Sequence, residues 1–162
     1  MTTTPAHATA PVDESRITLD ALRRWNLGLG FLHLAQAVVV LALTNTRSLP
    51  VTAAFGNGPP GQPRRPLELE RLFSYRIGWA VAAFLILSAA FHGLVASGWG
   101  FRRYGREINA SRNRFRWLEY SLSASVMIVL IAGTVGITDV AALLALFGAN
   151  AAMILFGWLM ET

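Results

Sequence analysis

Three titratable side chains, His33, His92 and Glu119, lie inside long apolar stretches of this sequence. A carboxylate within the hydrocarbon part of a membrane costs about 3 kcal/mol on insertion scales, so it usually pairs with another group. Histidines in such positions also need hydrogen-bond partners, because burying an unpaired polar group is unfavourable. The partner of Glu119 would therefore indicate what the protein does.

Four apolar segments position these side chains. They cover approximately residues 25–43, 77–98, 115–137 and 140–160, each close to the ~20 residues that a helix needs to cross a bilayer. Only 14% of the residues are charged and 54% are hydrophobic, whereas soluble domains contain about 25% charged residues. Because backbone groups in lipid must be paired internally, the segments are predicted to be helices. The sequence predicts an all-α membrane protein, a transmembrane helical bundle of residues 25–160.

The basic residues predict the orientation of the bundle. All 14 are arginines: three lie in the polar tail of residues 1–24, six between the second and third spans, and five between the first and second. The positive-inside rule then places the N-terminus in the cytoplasm. Arginines grouped at span ends indicate contact with the lipid bilayer and argue against nucleic acid as a partner. The absence of cysteine excludes disulfides and thiolate metal sites.

The loops that connect the four predicted spans differ in length and composition. The extracellular loop of residues 44–76 contains the turn-forming residues 57–61, and flanking segments at 51–55 and 67–69 predict a short β-hairpin. The cytoplasmic loop of residues 99–114 is interpreted as a basic topology signal. Asp139 is predicted to cap the fourth helix.

The three titratable side chains are predicted to lie at a similar depth in the bilayer. His33 lies roughly 10 Å and His92 about 9 Å from the cytoplasmic end of its span, and Glu119 about one turn inside the third span. Three polar residues share helix faces with them, namely Gln36, Ser88 and Ser123. One polar cluster in the cytoplasmic half of the bundle is therefore predicted.

Each residue also has a simpler interpretation. A lone histidine or Asn150 could hydrogen-bond a neighbouring helix, and the small residues Ser121, Ser123 and Ser125 could be packing positions. Glu119 could extend towards the interface from near its helix end.

The sequence around these residues resembles the heliorhodopsins, retinal-binding microbial photoreceptors with inverted topology. The resemblance is carried by FLHLAQ at 31–36, NGPPG at 57–61, LSAAFH at 87–92, FRWLEYSLS at 115–123 and FGANAAMILFGW at 147–158. It implies a light sensor rather than an enzyme, with an N-terminus inside the cell. It also implies a homodimer associated with the first extracellular loop.

The resemblance implies a role for each candidate site residue. Glu119 would be the counterion of the protonated retinal Schiff base. His33 and His92 would belong to a polar, hydrated cluster beside it, together with Gln36, Ser88 and Ser123. Asn150 and Met153 would line the chromophore pocket.

One departure from the family is large. Heliorhodopsins have seven helices and carry retinal on a lysine of the seventh, but this sequence contains no lysine, and arginine is not a nucleophile because it stays protonated. We therefore expect these residues to be the N-terminal four of seven spans. Two alternatives remain open: a haem-binding redox protein with His33 and His92 as axial ligands, and a non-photoactive membrane protein that binds partners through the 44–76 loop.

Overall fold

The computed structural model describes residues 19–54 and 69–161. Within them the chain forms five helices and two strands. In chain order these are α1 (Leu19–Leu43), β1 (Ser48–Ala54), β2 (Leu69–Arg76), α2 (Ile77–Ala96), α3 (Gly98–Asn109), α4 (Arg114–Thr134) and α5 (Val140–Leu159).

Four of these helices, α1, α2, α4 and α5, are long and apolar enough to cross a membrane. This confirms the predicted all-α membrane fold, and the helix bounds agree closely with the predicted spans. The main difference is that α1 begins at Leu19 rather than near residue 25. Its first turn has a packing partner, because the Leu19 side chain lies against Gly105 of α3.

The spans pack as a row in which α2 contacts both α1 and α4, and α4 contacts α5. Glycines permit two of the close approaches. A Cβ atom at Gly30 of α1 would lie 3.3 Å from the Cβ atom of His92 on α2. A Cβ atom at Gly157 of α5 would collide with the ring of Trp117 on α4. Small side chains at such points let helices approach each other in membranes.

The basic segment predicted as a loop contains the 12-residue helix α3. Ser97 explains the abrupt change of direction, because it ends α2 and begins α3: its hydroxyl group donates to Leu94 O at 2.7 Å and accepts from Gly100 N at 3.1 Å. A side chain at position 100 would collide with the Leu94 carbonyl, so the corner requires glycine. The arginine-rich composition of this segment did not predict a helix that begins at a serine cap.

The hairpin predicted in the first loop is confirmed, but its second strand covers Leu69–Arg76 rather than residues 67–69. β1 and β2 pair antiparallel, with Val51 opposite Phe73 and Ala54 opposite Leu69, and an irregularity between Val51 and Thr52. The turn predicted at 57–61 lies outside the described residues.

The sheet is attached to the turn between α4 and α5. Thr52 N donates to Thr138 O at 2.8 Å, and the two threonine hydroxyl groups lie 3.0 Å apart. Beneath this contact, Val51, Ala132 and Leu143 form a buried apolar cluster. The predicted cap of the last helix is confirmed, because Asp139 Oδ1 accepts from Ala142 N at 2.9 Å.

Candidate functional site

The structure brings the two intramembrane histidines together across the contact between α1 and α2. The rings of His33 and His92 are stacked, with centroids 5.5 Å apart and planes inclined by 14°. Gly30, one turn before His33, leaves the room that the His92 side chain occupies. The pair thus depends on a helix contact that glycine makes possible.

Each imidazole has an amide partner. His33 Nδ1 lies 3.2 Å from Gln36 Oε1, and His92 Nδ1 lies 3.0 Å from Asn26 Oδ1. Because an amide oxygen can only accept, each histidine donates from Nδ1 in this arrangement. The Nε2 atoms are then the positions at which a neutral pair could accept a proton.

Asn26 extends the histidine pair towards α3. Tyr104 of α3 lies close to Asn26, which acts to lower the pKa of its hydroxyl group, and the Tyr104 ring packs edge-on against Phe115 at 6.3 Å between centroids. Burial raises the pKa of Tyr104 above its ordinary value of 10.0, although Asn26 and Arg116 act in the opposite direction. Asn26 therefore lies between the histidine pair and the helix that joins α2 to α4.

Sequence reasoning missed Asn26 and Tyr104. Asn26 precedes His33 by seven residues, which places both on one face of α1. The seven-residue spacing could therefore have identified Asn26 as a neighbour of the histidine. Tyr104 stands among arginines, and its burial follows only from the position of α3.

Glu119 does not join the histidine pair through any direct bond. It lies partly buried on α4, and within residues 19–54 and 69–161 it forms no hydrogen bond or ion pair. Ser88 and Ser123 are buried at 5% exposure each, and neither is hydrogen-bonded to Glu119 or to a histidine. The described residues thus assemble the histidine part of the predicted cluster and leave the carboxylate without a bonded partner.

Asn150 binds the neighbouring helix. Its Nδ2 atom donates to Ser125 Oγ at 3.1 Å, and Ser125 is completely buried between the helices. The simpler interpretation of Asn150 as an interhelical hydrogen-bond donor is therefore observed. Met153, one turn further along α5, is 64% exposed, so no described residue covers most of its surface.

Comparison with known proteins identifies the family. The heliorhodopsin family matches the chain over residues 22–162. The chain belongs to the heliorhodopsin family. No curated protein matches it significantly. Family membership and four apolar helices make it a multi-pass, rhodopsin-like membrane protein, and heliorhodopsins are light-sensing proteins that are not typically enzymes.

The histidine geometry in this heliorhodopsin does not suit a haem. Axial ligands point ring nitrogens at one iron from opposite sides, whereas the two imidazoles here face each other with their lone pairs in nearly parallel planes. Direct packing of Gly30 against His92 also leaves no space for a porphyrin between the helices.

A second carboxylate, Glu161, which the sequence analysis did not single out, links the end of α5 to the start of α4. Glu161 Oε2 accepts from Asn113 N at 2.7 Å, and Oε1 pairs with Arg116 at 3.3 Å. The hydrogen bond from the Asn113 main chain, together with the arginines, lowers the pKa of Glu161 below its ordinary value of 4.5. Arg116, in the first turn of α4, was the available sequence signal.

Proposed function

We propose that this chain supplies the counterion and a proton-accepting histidine pair of a retinal-binding light sensor. The observation that carries the proposal is Glu119, a partly buried carboxylate on a membrane span that no described residue pairs. Such a group requires a compensating charge or a proton. Membership of the heliorhodopsin family implies a protonated retinal imine as the source of that charge.

The residues present fit one part of a retinal site and not the other. A carboxylate on α4 and an exposed apolar surface of Ala152, Leu155 and Phe156 on α5 fit a polyene with a cationic end. The covalent link does not fit, because none of the 162 residues is a lysine. Retinal would supply the absorption of visible light and the buried positive charge.

The chain's own residues would then have separable tasks. Glu119 would stabilise the cation, and Asn150 and Met153 would border the polyene. His33 and His92 would hold or release a proton at Nε2. Because Asn26 bonds to His92 and lies close to Tyr104, a change at the stack would reach α3 through these two side chains.

The test joins the chain to a segment with three further spans and a lysine in the last, and adds all-trans retinal. We expect a visible absorption band that shifts to longer wavelength in Glu119→Gln, because loss of the counterion spreads the positive charge along the polyene. Glu161→Gln is the matched control and should leave the maximum unchanged, since Glu161 lies beyond α5. An identical maximum for wild type and Glu119→Gln would refute the counterion role. A wild type without any visible band would favour the non-photoactive interaction protein.

We also propose that the N-terminus is cytoplasmic. The support is the arginine distribution, which favours the side of α3. Since the chain has no cysteine, the variants Ala110→Cys and Ser48→Cys each provide one exposed thiol at opposite ends of the spans. In intact cells, an impermeant maleimide should label Ser48→Cys only. Labelling of Ala110→Cys alone would reverse the orientation.

A homodimer formed through the sheet is the third part of the proposal. Its support is the apolar surface of β2, where Leu69, Leu72 and Phe73 are 68%, 45% and 57% exposed. Leu72→Asp should reduce cross-linked dimer in detergent, whereas Met160→Asp, an equally apolar exposed position outside the sheet, should not. Equal dimer in wild type and Leu72→Asp would exclude this surface.

A further inference from the structure

Helix α3 has two faces of opposite character. Trp99, Arg102, Arg103 and Arg106 follow the spacing i, i+3, i+4, i+7, which places them on one side of a helix. All four are exposed, and the opposite face buries Tyr104 and Gly105 against the bundle. The basic face, defined as these four residues, therefore points away from the protein.

The charge of the basic face is nearly uncompensated. In the described part of the chain, Arg102 and Arg106 form no ion pair, and Arg103 makes only a 3.7 Å contact with Glu107. Glu107 is already engaged, because its Oε2 atom accepts from Arg114 N at 3.1 Å. Three guanidinium groups thus remain available to an external anion.

The position of α3 indicates where that anion would be. Ser97 alone separates the helix from span α2, and four residues, 110–113, separate it from span α4. Trp99 begins the basic face and is 59% exposed. Exposed tryptophans next to span ends typically lie at the level of lipid head groups, where the indole is half in apolar surroundings and half in water.

We propose that the basic face of α3 binds the head groups of anionic phospholipids. Arginines beside a span attract anionic lipid, by roughly fivefold in binding for each residue, and guanidinium pairs well with phosphate oxygens. An acidic soluble macromolecule would use the arginines but would not require an exposed indole at head-group depth, so Trp99 favours lipid. The proposal is independent of retinal and of Glu119.

The test uses the full chain in bilayers of phosphatidylcholine that contain a minor fraction of spin-labelled phosphatidylglycerol. The motionally restricted fraction of the labelled lipid, relative to labelled phosphatidylcholine, measures the preference at the protein surface. Wild type should prefer phosphatidylglycerol, and high salt should weaken the preference because exposed charges are screened. Combined Arg102→Gln, Arg103→Gln and Arg106→Gln should reduce it at least about fivefold, the effect of one arginine near an anionic surface.

Matched variants distinguish the effect of charge on α3 from the effect of arginines elsewhere and from a general loss of folding. Arg47→Gln, Arg71→Gln and Arg76→Gln remove three exposed arginines from the opposite ends of the spans and should retain the preference. Combined Arg102→Lys, Arg103→Lys and Arg106→Lys should retain the preference, since charge suffices. Equal preference in wild type and the α3 glutamine variant would overturn the proposal. The proposal would also be overturned if the detergent-solubilised chain bound soluble heparin tightly while the chain in bilayers showed no preference for phosphatidylglycerol. That result would indicate a soluble acidic partner.

Discussion

The imidazole rings of His33 and His92 lie face to face across the α1–α2 contact, 5.5 Å apart between centroids. Their approach is set by Gly30, since any larger side chain there would press on the His92 Cβ atom. Packing and polar contacts are therefore coupled at this point: the same interface that holds the helices together holds the histidines at one depth.

Enlarging Gly30 should disrupt this interface. In Gly30→Val, the added carbons would have to displace His92 or separate the helices, and overpacking of this kind costs about 1–3 kcal/mol. We expect a lower free energy of unfolding, measured by titration from mild detergent into sodium dodecyl sulfate. Gly28→Val is the control, because nothing lies within 4 Å of a Cβ atom at Gly28. If both variants lose stability equally, the contact with His92 is not the cause.

The hydrogen bond from Asn150 to Ser125 should contribute measurably to the contact between α4 and α5. Interhelical hydrogen bonds in membranes average about 0.6 kcal/mol in double-mutant cycles. We expect Asn150→Ala and Ser125→Ala to be non-additive by about this amount. A parallel cycle of Asn150→Ala with Ser88→Ala, a buried serine of α2 that is not bonded to Asn150, should be additive. Additivity in both cycles would contradict the observed bond.

The sequence was sufficient to predict those parts of the fold that follow from composition and period. Long apolar runs specify membrane helices whatever packs against them, so the spans were predicted closely. Helix rise alone placed His33 and His92 at one depth. Asp139 was recognisable as a cap because a serine, threonine, asparagine or aspartate before an apolar run satisfies free backbone N–H groups.

The remaining features depend on three-dimensional contacts. Six arginines between spans act as a topology signal whether or not the segment is helical, so α3 was not predicted. Its start depends on Ser97 closing one helix and opening the next. Depth alone could not determine whether Glu119 bonds to the histidines, because depth leaves the rotation of α4 about its axis undetermined. The partners of Asn26 and Glu161 likewise come from other helices.

Two tyrosines in different surroundings should respond oppositely to loss of the hydroxyl group. The buried hydroxyl group of Tyr75 bonds to no described residue, and burial raises its pKa above 10.0. Tyr75→Phe should leave stability unchanged or increase it by about 1 kcal/mol, since an unpaired buried polar group is costly. Tyr104→Phe should lower stability by about 1 kcal/mol, because it removes a hydroxyl group that interacts favourably with the neighbouring Asn26 amide. Equal losses in both variants would show that the Tyr75 hydroxyl group has a partner.

Stability should fall in acid through Glu161. Its pKa in the folded chain lies below 4.5, chiefly because the Asn113 N–H group donates to the carboxylate, with Arg116 contributing. A carboxylate with a lowered pKa stabilises the fold fully above its unfolded pKa, and this contribution is lost as the pH falls through the folded value. Wild type should therefore lose more stability between pH 6 and pH 3 than Glu161→Gln, measured by thermal melting in detergent with circular dichroism. Glu70 is an exposed carboxylate on β2, so Glu70→Gln should retain the wild-type dependence of stability on pH. If wild type and Glu161→Gln show the same dependence, the contact between Glu161 and α4 does not contribute to acid sensitivity.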